Sequence, residues 1–387
     1  MAEPLRVLLA GGGTAGHVNP LLATATALAD EDAEVTVLGT VEGLEHTLVP
    51  DAGFPMREIH RVPLPRRPSL DLLRLPGRLR GAIAAADRAL SETGAQVVAG
   101  FGGYVATPAY LAARRRGVPV VVHEQNARPG VANRVGARWA DVVALTFPST
   151  PLTAARGRTE VTGLPLRAPI AALVADRATA DGTAARRAAG AAALELDPDR
   201  TTLLVTGGSL GAKRLNDAAS AAAADLVSGG AQVLHLTGRG KAEPVRDAIA
   251  RAAAAAPEVG ERYHVREYLG AMEHAYACAD LVLCRSGAGT VAELAALGLP
   301  AVYVPLPIGN GEQRLNATDV VTAGGGVIVE DAALDAARVR ESVATLLHDD
   351  AELRRRGEAA ARAGSTDGAS RLAALIREAG RPGGGAS

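Results

Sequence analysis

The sequence predicts an α/β protein of two Rossmann-like, doubly wound domains that face a central cleft. Short apolar runs alternate with helix-length segments along the chain. The runs are continuously apolar, which is typical of parallel strands buried on both faces. The pattern also begins twice in the same way, with a strand, a glycine-rich turn and a helix, at Leu8–His17 and Leu204–Lys213. Repeated βα units of this kind predict doubly wound sheets, which bind ligands at the carboxyl ends of their strands.

Nine strands and two domains are predicted. The domains are expected at residues 1–167 and 168–365, with a C-terminal helix at about 366–380 that packs back on the first domain. The alanine-rich segment Ala168–Arg200 has no strand signal and is expected to form surface helix and loop. Helices are predicted at Pro20–Asp30, Thr107–Arg116, Ala212–Ser228 and Val291–Leu297. The predicted strands are Val7–Ala10, Val35–Gly39, Val97–Gly100, Val118–His123, Val142–Leu145, Leu203–Thr206, Val233–Thr237, Leu281–Arg285 and Ala301–Val304.

The composition excludes several classes of protein. The chain has 387 residues, of which 48% are hydrophobic, and a net charge of −1, so nothing indicates a nucleic-acid partner. Cys278 and Cys284 are too few for a disulfide framework, suit a reducing cytoplasm and are expected to be buried. The most apolar long window, Val291–Gly309, contains Glu293 and three prolines. No helix there is expected to span a bilayer, and any membrane contact is expected to be peripheral.

The first glycine-rich turn has the spacing G-x-G-x-x-G at Gly11, Gly13 and Gly16. Such a turn lets backbone N–H groups and a helix N-terminus approach an anion. A dinucleotide site would also need an acidic residue at the end of the second strand. The end of that strand reads Leu38-Gly39-Thr40, with no acidic residue, and Glu42 comes too late. The NAD(P) alternative is therefore disfavoured, and it leaves the neighbouring His17 unexplained.

The second glycine-rich turn covers residues 207–213. It is not a P-loop, because Ala212 stands where that motif has glycine and Arg214 where it has serine or threonine. Backbone amides and the Ser209 hydroxyl could still hold a diphosphate. The alternative is a tight turn that binds nothing.

A third turn, Arg285–Glu293, places small residues between a strand and a helix. Glu293 is expected in the first turn of that helix. It is interpreted as an acceptor for two ribose hydroxyls. The alternative is an acid that only stabilises the helix N-terminus.

These motifs together resemble those of the MurG family of glycosyltransferases, over nearly the whole chain and in the same order. The resemblance implies the two-domain fold called GT-B, with the lipid acceptor on the N-terminal domain and UDP-N-acetylglucosamine on the C-terminal domain. The motifs are Gly11–His17, Gly102-Gly103-Tyr104, His123–Asn126, Thr162–Arg167, the Gly207–Ala212 turn with Asn216, and Arg285–Glu293.

The resemblance also implies site residues. Ser209 and Arg167 are expected to contact the diphosphate, Leu269 the uracil, and Glu312 and Gln313 the sugar. Thr14, Ala15 and Gly16 are expected to approach UDP-N-acetylglucosamine from the acceptor side. The other expected donor contacts are Asn126, Ala288, Gly289, Thr290, Val291, Ala292 and Glu293. The expected acceptor contacts are Gly12, Gly13, Gly103 and Tyr104.

The implied reaction is the transfer of N-acetylglucosamine to the 4-hydroxyl of undecaprenyl-diphosphate-linked N-acetylmuramyl-pentapeptide, with inversion at the anomeric carbon. His17 is the first candidate for the general base because its ordinary pKa is about 6.5, and Glu124 is the second. Alternatively, His17 positions the acceptor, and His123 with Glu124 fixes the loop through Asn126. Neither a cofactor nor an obligatory metal is expected, since no Asp-x-Asp pair ends a strand and Asp349-Asp350 is placed late in a helix.

Two other functions remain open at this stage. One is a different GT-B glycosyltransferase or a UDP-sugar epimerase that acts on another substrate. The other is a non-catalytic scaffold that binds nucleotide sugars.

A basic segment, Arg57–Ile83, is predicted to dock on an anionic membrane at the cytoplasmic face. From Arg57 to Arg80 it has seven arginines and two acidic residues, whereas the whole chain carries −1. Interleaved arginines and exposed leucines suit an anionic bilayer surface. Pro76 and Gly77 are expected to interrupt any long helix here. The alternative is a solvated arginine face over an ordinary core helix. The expected membrane contacts are Arg66, Arg67, Leu72, Leu73, Arg74, Leu75, Arg78 and Leu79.

Overall fold

The computed structural model describes residues 3–62, 71–208, 211–308 and 310–381, and only the backbone of residues 71–74. The chain divides into two compact units. The first contains Met1–Arg167 and Asp367–Ser387, and the second contains Ala168–Thr366. Within the described ranges, no helix is long and apolar enough to cross a membrane.

The first unit contains a seven-stranded sheet in the order β3-β2-β1-β4-β5-β6-β7. All neighbouring strands are parallel. Residues such as Leu9 and Val98 are fully buried because helices cover both faces of the sheet. The strands are β1 Arg6–Ala10, β2 Glu34–Gly39, β3 Met56–Glu58, β4 Val97–Gly100, β5 Val120–Glu124, β6 Val142–Leu145 and β7 Arg158–Val161.

The helices of the first unit include the last helix of the chain, Gly368–Ala379. Its Leu372 and Ile376 lie in the same core cluster as Val7 and Leu9 of β1, and Glu378 accepts hydrogen bonds from Arg158. The other helices are Ala15–Ala29, Glu45–Asp51, Asp71–Thr93, Gly103–Arg116 and Val131–Gly136.

The second unit contains a six-stranded parallel sheet in the order β10-β9-β8-β11-β12-β13. Its order repeats that of the first unit, with a change of winding direction between β8 and β11 as between β1 and β4. Such reversal points are where doubly wound sheets bind ligands. The strands are β8 Thr202–Thr206, β9 Gln232–Leu236, β10 Tyr263–Arg266, β11 Leu281–Cys284, β12 Ala301–Tyr303 and β13 Gly326–Ile328.

The helices of the second unit cover both faces of this sheet. Short 3₁₀ turns lie at Ser228–Gly230 and Asp331–Ala333, and a π-helical turn lies at Arg340–Ala344. The α-helices are Ala168–Asp176, Ala180–Leu194, Lys213–Ala221, Ala223–Val227, Ala242–Ala255, Pro257–Arg262, Met272–Cys278, Ala288–Ala296, Glu312–Asn316, Thr318–Thr322, Ala336–Val339, Thr345–Leu347 and Asp350–Ala363.

Several local predictions need correction. The helix predicted at Ala212–Ser228 is two helices that meet at Ala222. Helix Asp71–Thr93 runs through Pro76, so the predicted interruption is wrong. Asp349 is not late in a helix: it caps the start of Asp350–Ala363 by accepting a hydrogen bond from the Glu352 amide.

The nine predicted strands are confirmed within two residues at each end. The prediction of two buried cysteines is confirmed as well: Cys278 and Cys284 are free thiols buried in the second unit.

Candidate active site

The first glycine-rich turn follows β1 and ends at Thr14, where helix Ala15–Ala29 begins. Thr14 Oγ1 lies 2.9 Å from Nδ1 of His17, and the His17 amide donates to the Thr14 carbonyl oxygen at 3.0 Å. Burial lowers the pKa of the half-buried His17, and the charge of Glu45 acts in the opposite direction. The imidazole is therefore neutral at pH 7 and able to accept a proton.

The Gly102-Gly103 pair after β4 lies against this turn. Its φ angles are +86° and +77°, in the region that favours glycine. A Cβ at Gly102 would come within 3.2 Å of His17 Nε2, and a Cβ at Gly103 would lie 2.7 Å from the Gly12 carbonyl oxygen. Gly102 thus leaves space beside the imidazole that a side chain would fill, and Gly103 allows the chain to approach the Gly12 backbone closely.

A pocket of about 50 Å³ opens beside these residues, and Gly12, Gly13 and Tyr104 are part of its lining. The guanidinium of Arg61 lies over the Tyr104 ring, 4.7 Å from its centroid. The structure therefore brings the four residues expected to contact the acceptor, these three and Gly103, together at the carboxyl edge of the first sheet.

Glu45 lies behind this turn, and sequence reasoning did not single it out. Its side chain is fully buried. Gly13 N donates to Oε2 at 2.7 Å, while Thr40 N and Oγ1 donate to Oε1 at 3.0 and 2.8 Å. Burial acts to raise the pKa of Glu45, but the hydrogen bonds outweigh burial and hold the pKa below its ordinary value. Glu45 is therefore a buried carboxylate at neutral pH.

Glu124 ends β5 and is 2% exposed. Its Oε1 accepts from Asn126 N at 2.9 Å, and its Oε2 accepts from Gly130 N and Asn133 Nδ2, both at 2.9 Å. Burial raises the pKa of Glu124, although these hydrogen bonds oppose the rise. Both oxygens are thus engaged by the loop that carries Asn126.

Asn133 is a second residue that sequence reasoning did not single out. Its Nδ2 donates to the His123 carbonyl oxygen at 3.0 Å, and its Oδ1 accepts from the Tyr110 hydroxyl at 2.9 Å. His123 itself is buried, with Nε2 3.2 Å from the Gly163 carbonyl oxygen. Burial lowers the pKa of His123 to about 4. The neutral His123 and Asn133 therefore fix the end of β5 as a buried framework.

The second glycine-rich turn follows β8, at the position equivalent to the first. The Gly208 amide donates to Thr206 Oγ1 at 3.3 Å, and the Gly211 amide donates to the Gly208 carbonyl oxygen at 2.8 Å. Helix Lys213–Ala221 follows. Ser209, the expected diphosphate contact, lies outside the described residues.

A buried polar chain supports this second turn. Asn216 Nδ2 donates to the Thr237 carbonyl oxygen at 3.0 Å, and Asn216 Oδ1 lies 3.1 Å from His235 Nε2. His235 Nδ1 lies 2.8 Å from the Tyr263 hydroxyl. Burial lowers the pKa of His235 to about 3. Because Gly211 lies directly on the Thr237 carbonyl, this chain holds the turn in place.

The third turn leads into helix Ala288–Ala296, whose N-cap is Gly287. Glu293 is the sixth residue of this helix, so the prediction that it lies in the first helical turn is wrong. Glu293 is 9% exposed, and its Oε2 accepts from the Tyr276 hydroxyl at 3.0 Å. The side chain is thus held by a second helix. The expected donor contacts before it are Ala288, Gly289, Thr290, Val291 and Ala292.

Arg285, at the start of this turn, is held by its own unit. It forms an ion pair with Asp331 at 2.7 Å and donates to the carbonyl oxygens of Val304 and Pro305. The next residue, Ser286, is fully buried, and within the described part of the chain its hydroxyl has no hydrogen-bond partner.

The other expected donor contacts lie near strand ends. Asn126 and Arg167 are half-buried in the first unit, and Leu269 is half-buried in the loop after β10. In the second unit Glu312 and Gln313 begin a short helix after β12. Gln313 Oε1 accepts from Leu306 N at 2.9 Å.

Comparisons with known proteins identify the family. The glycosyltransferase family 28 N-terminal domain matches residues 7–145 and the C-terminal domain matches residues 202–372. A protein of Nocardioides sp. is 53% identical over 97% of this chain and 98% of its own length; it is named UDP-N-acetylglucosamine--N-acetylmuramyl-(pentapeptide) pyrophosphoryl-undecaprenol N-acetylglucosamine transferase. A Bifidobacterium longum protein of the same name is 49% identical, with the same coverage. This chain belongs to the MurG family of glycosyltransferases.

The solved structure of Acinetobacter baumannii MurG agrees with this assignment. It is 29% identical, with a TM-score of 0.76 over 97% of this chain and 100% of that one. The predicted α/β fold class of the GT-B type and the resemblance to the MurG family are both confirmed.

The structure of the basic segment Arg57–Ile83 differs in part from what the sequence predicts. Arg66 and Arg67 lie outside the described residues, and Leu72, Leu73 and Arg74 are described by their backbone alone. Leu75 and Leu79 are half-buried and pack against the core of the first unit. The expectation of exposed leucines is therefore wrong at these two positions. Arg78 lies on the exposed side of the helix.

Proposed function

We propose that this chain transfers N-acetylglucosamine from UDP-N-acetylglucosamine to the 4-hydroxyl of undecaprenyl-diphosphate-linked N-acetylmuramyl-pentapeptide, which converts lipid I to lipid II in peptidoglycan synthesis. The observation that carries this proposal is the 53% identity, over nearly full length, to a relative named for this reaction. The proposal is also supported by His17, beside the first glycine-rich turn, and by Glu293, whose carboxylate Tyr276 holds.

His17 is proposed as the general base. In the tautomer whose Nδ1–H donates to Thr14, Nε2 carries the free lone pair, and Gly102 leaves space beside that nitrogen. The acceptor 4-hydroxyl gives its proton to Nε2 as its oxygen bonds to the anomeric carbon. The bond from that carbon to the UDP oxygen breaks, and the sugar is inverted to a β-1,4 linkage. General-base catalysis of this kind contributes about 10²–10⁴ in rate.

Glu124 is proposed as a positioning residue rather than the base. A base needs a free oxygen within reach of the acceptor hydroxyl, whereas both Glu124 oxygens accept hydrogen bonds from the Asn126–Asn133 loop. The carboxyl therefore sets the place of Asn126, which is proposed to contact the donor sugar.

The second unit is proposed to bind UDP. Glu293 would accept two ribose hydroxyls, and Tyr276 would hold its carboxylate for that purpose. The backbone at Gly287–Gly289 begins a helix, and the turn at Ser209 would stabilise the departing diphosphate. Arg167, the last residue of the first unit before its C-terminal helix, is proposed as a further diphosphate contact. Positive charge and helix N-termini favour such a leaving group.

The rival enzymes and the scaffold have less support. An epimerase would need no acceptor, and a scaffold would give no reason for a neutral histidine beside an open glycine pair. The decisive experiment incubates the protein with labelled UDP-N-acetylglucosamine and lipid-linked N-acetylmuramyl-pentapeptide. We expect a labelled lipid-linked disaccharide. A labelled product that forms equally without the lipid would support the epimerase, and no product at all would leave the scaffold.

The basic segment is proposed to dock the protein peripherally on anionic lipid at the cytoplasmic face of the cell membrane. Because Leu75 and Leu79 pack inward, the proposal now rests mainly on the arginines. Each arginine near such a surface contributes at most about 1 kcal/mol, and salt weakens the attraction.

The test reverses Arg66, Arg67, Arg74 and Arg78 to glutamate. We expect this variant to lose sedimentation with anionic vesicles while it keeps UDP binding. The control reverses four exposed arginines of the second unit, Arg246, Arg251, Arg354 and Arg362, and should still sediment. Equal sedimentation of both variants at low salt would exclude the segment as the anchor.

A further inference from the structure

Glu45 is a buried anion that no substrate role requires. It begins helix Glu45–Asp51 and is fully buried. Among the residues that the structure describes, no basic side chain forms an ion pair with it. Burying an unpaired carboxylate is costly unless hydrogen bonds replace its hydration. The groups that Glu45 contacts must therefore stabilise its negative charge.

Those groups belong to the first glycine-rich turn and to the end of β2. Gly13 donates one hydrogen bond and Thr40 donates two. A Cβ at Gly12 or at Gly43 would overlap the Glu45 carboxylate. The carboxylate thus fills the space beneath the turn and joins two neighbouring strand ends.

The Glu45 carboxylate accepts a hydrogen bond that a ligand phosphate accepts in nucleotide-binding turns. In nucleotide-binding Rossmann turns, the glycine amides are directed at a phosphate of the ligand. Here the Gly13 amide is directed at Glu45 instead, at 2.7 Å. The protein supplies its own anion, so the Gly13 amide is satisfied without a nucleotide and is not available to a phosphate.

We infer that Glu45 is a positioning residue: a built-in anion that fixes the first turn so that Thr14 can orient His17 for proton abstraction. This inference rests on the proposed function, because it assigns the orientation of the proposed base. The chain of contacts runs from Glu45 to Gly13, through the backbone to Thr14, and from Thr14 Oγ1 to His17 Nδ1.

The surroundings of His17 make this inference measurable. On one side of the His17 imidazole lie Gly102 and the uncharged side-chain amide of Asn133. The side chain that contacts Nδ1 of His17 is Thr14, which is also uncharged. Glu45 is the charged group that acts on the histidine. Arg61 and Glu42 line the same small pocket as Glu45. Removing the charge of Glu45 should therefore lower the pKa of His17.

The test compares Glu45→Gln, which keeps the shape but removes the charge, with Asp51→Asn on the exposed end of the same helix. For Glu45→Gln we expect kcat to fall at least tenfold and the acidic limb of the kcat profile to move to lower pH. UDP affinity should stay within twofold of wild type. Asp51→Asn should match the wild type in all three.

A kcat within twofold of wild type, or an unmoved acidic limb, would overturn the inference. If Glu45→Gln does not fold, Thr40→Val removes one of the three donors and should give a smaller loss of kcat with UDP affinity kept; unchanged kcat there would count equally against it. An NMR titration of His17, assigned with His17→Gln, needs no turnover. A lowered His17 pKa in Glu45→Gln would show that the Glu45 charge acts on the imidazole even if the wild type makes no disaccharide, a result that would defeat the proposed function alone. An unchanged His17 pKa would overturn the inference.

Discussion

The two glycine-rich turns occupy equivalent places in two similar sheets but are stabilised in opposite ways. In the first turn the Glu45 carboxylate accepts a hydrogen bond from the Gly13 amide. In the second, a neutral chain through Asn216 and His235 holds the Thr237 carbonyl on which Gly211 rests. An internal anion disfavours a phosphate at the first turn, whereas the neutral support of the second leaves that possibility open. This difference supports the proposal that the first glycine-rich turn serves the chemistry and that the second binds the diphosphate.

The largest expected effect concerns the first turn. His17→Ala should lower kcat by about 10²–10⁴, because the acceptor hydroxyl loses its base. Initial rates at saturating concentrations of both substrates measure this. If His17 only positions the acceptor, the loss appears in the acceptor KM instead. Normal kcat together with a normal acceptor KM would remove His17 from the site.

The second largest expected effect concerns Glu293 of the second unit. Glu293→Ala should weaken UDP binding at least tenfold, because two hydrogen bonds to a charged group, each worth roughly 1.5–3 kcal/mol at most, are lost. Calorimetric titration with UDP measures the affinity, and a circular dichroism melt checks that the variant is folded. A folded variant that binds UDP as the wild type does would show that Glu293 lies outside the site.

The third effect tests the buried histidines, one in each unit. The folded-state pKa is about 4 for His123 and about 3 for His235, against about 6.5 in an unfolded chain. Both are neutral in both states well above pH 6.5. As the pH falls below 6.5, only the unfolded chain takes up the protons, so stability is lost until the folded-state pKa is reached. At pH 5 this costs about 2 kcal/mol for each histidine.

Denaturant unfolding at pH 7.5 and pH 5.0 checks the histidine prediction. The loss of unfolding free energy between the two pH values should be smaller by about 2 kcal/mol in His123→Gln and in His235→Gln than in the wild type. An identical loss in all three proteins would mean that these histidines are protonated in the folded state.

The smallest effect concerns Tyr276, whose hydroxyl donates to Glu293 at 3.0 Å. Tyr276→Phe removes one hydrogen bond that orients the acid but leaves the acid in place, so it should weaken UDP binding only about 2- to 10-fold, or roughly 0.4–1.4 kcal/mol. In the Glu293→Ala background the same change should have no further effect on UDP affinity. Additive losses would show that the two residues act independently.

The sequence revealed the interior of both sheets but not their edges. The four strands that it did not predict, β3, β7, β10 and β13, are the four edge strands. An edge strand is covered less completely, so its residues need not be apolar: β7 reads Arg-Thr-Glu-Val and is exposed at both ends. The continuous apolar run that marks a central parallel strand is therefore missing.

The sequence predicted the glycine-rich turns of the site but not the buried residues that support them. The glycines and His17 form a compact motif, whereas Glu45 lies 32 residues from the Gly13 amide that it binds. Asn216 belongs to a recognisable motif in helix Lys213–Ala221, but its partner His235 lies in β9, 19 residues away. Such residues have no local spacing to mark them. The start of helix Ala288–Ala296 was also misplaced, because Val291 looked like its first apolar residue while small residues begin it.

We propose that the first unit supplies the base and binds the acceptor, whereas the second unit binds most of UDP. Titration of UDP into the His17→Ala protein separates these two roles. We expect a dissociation constant within twofold of wild type, because His17 is proposed to act on the acceptor and most of the proposed UDP contacts lie in the second unit. A loss of UDP affinity as large as that of Glu293→Ala would contradict the division.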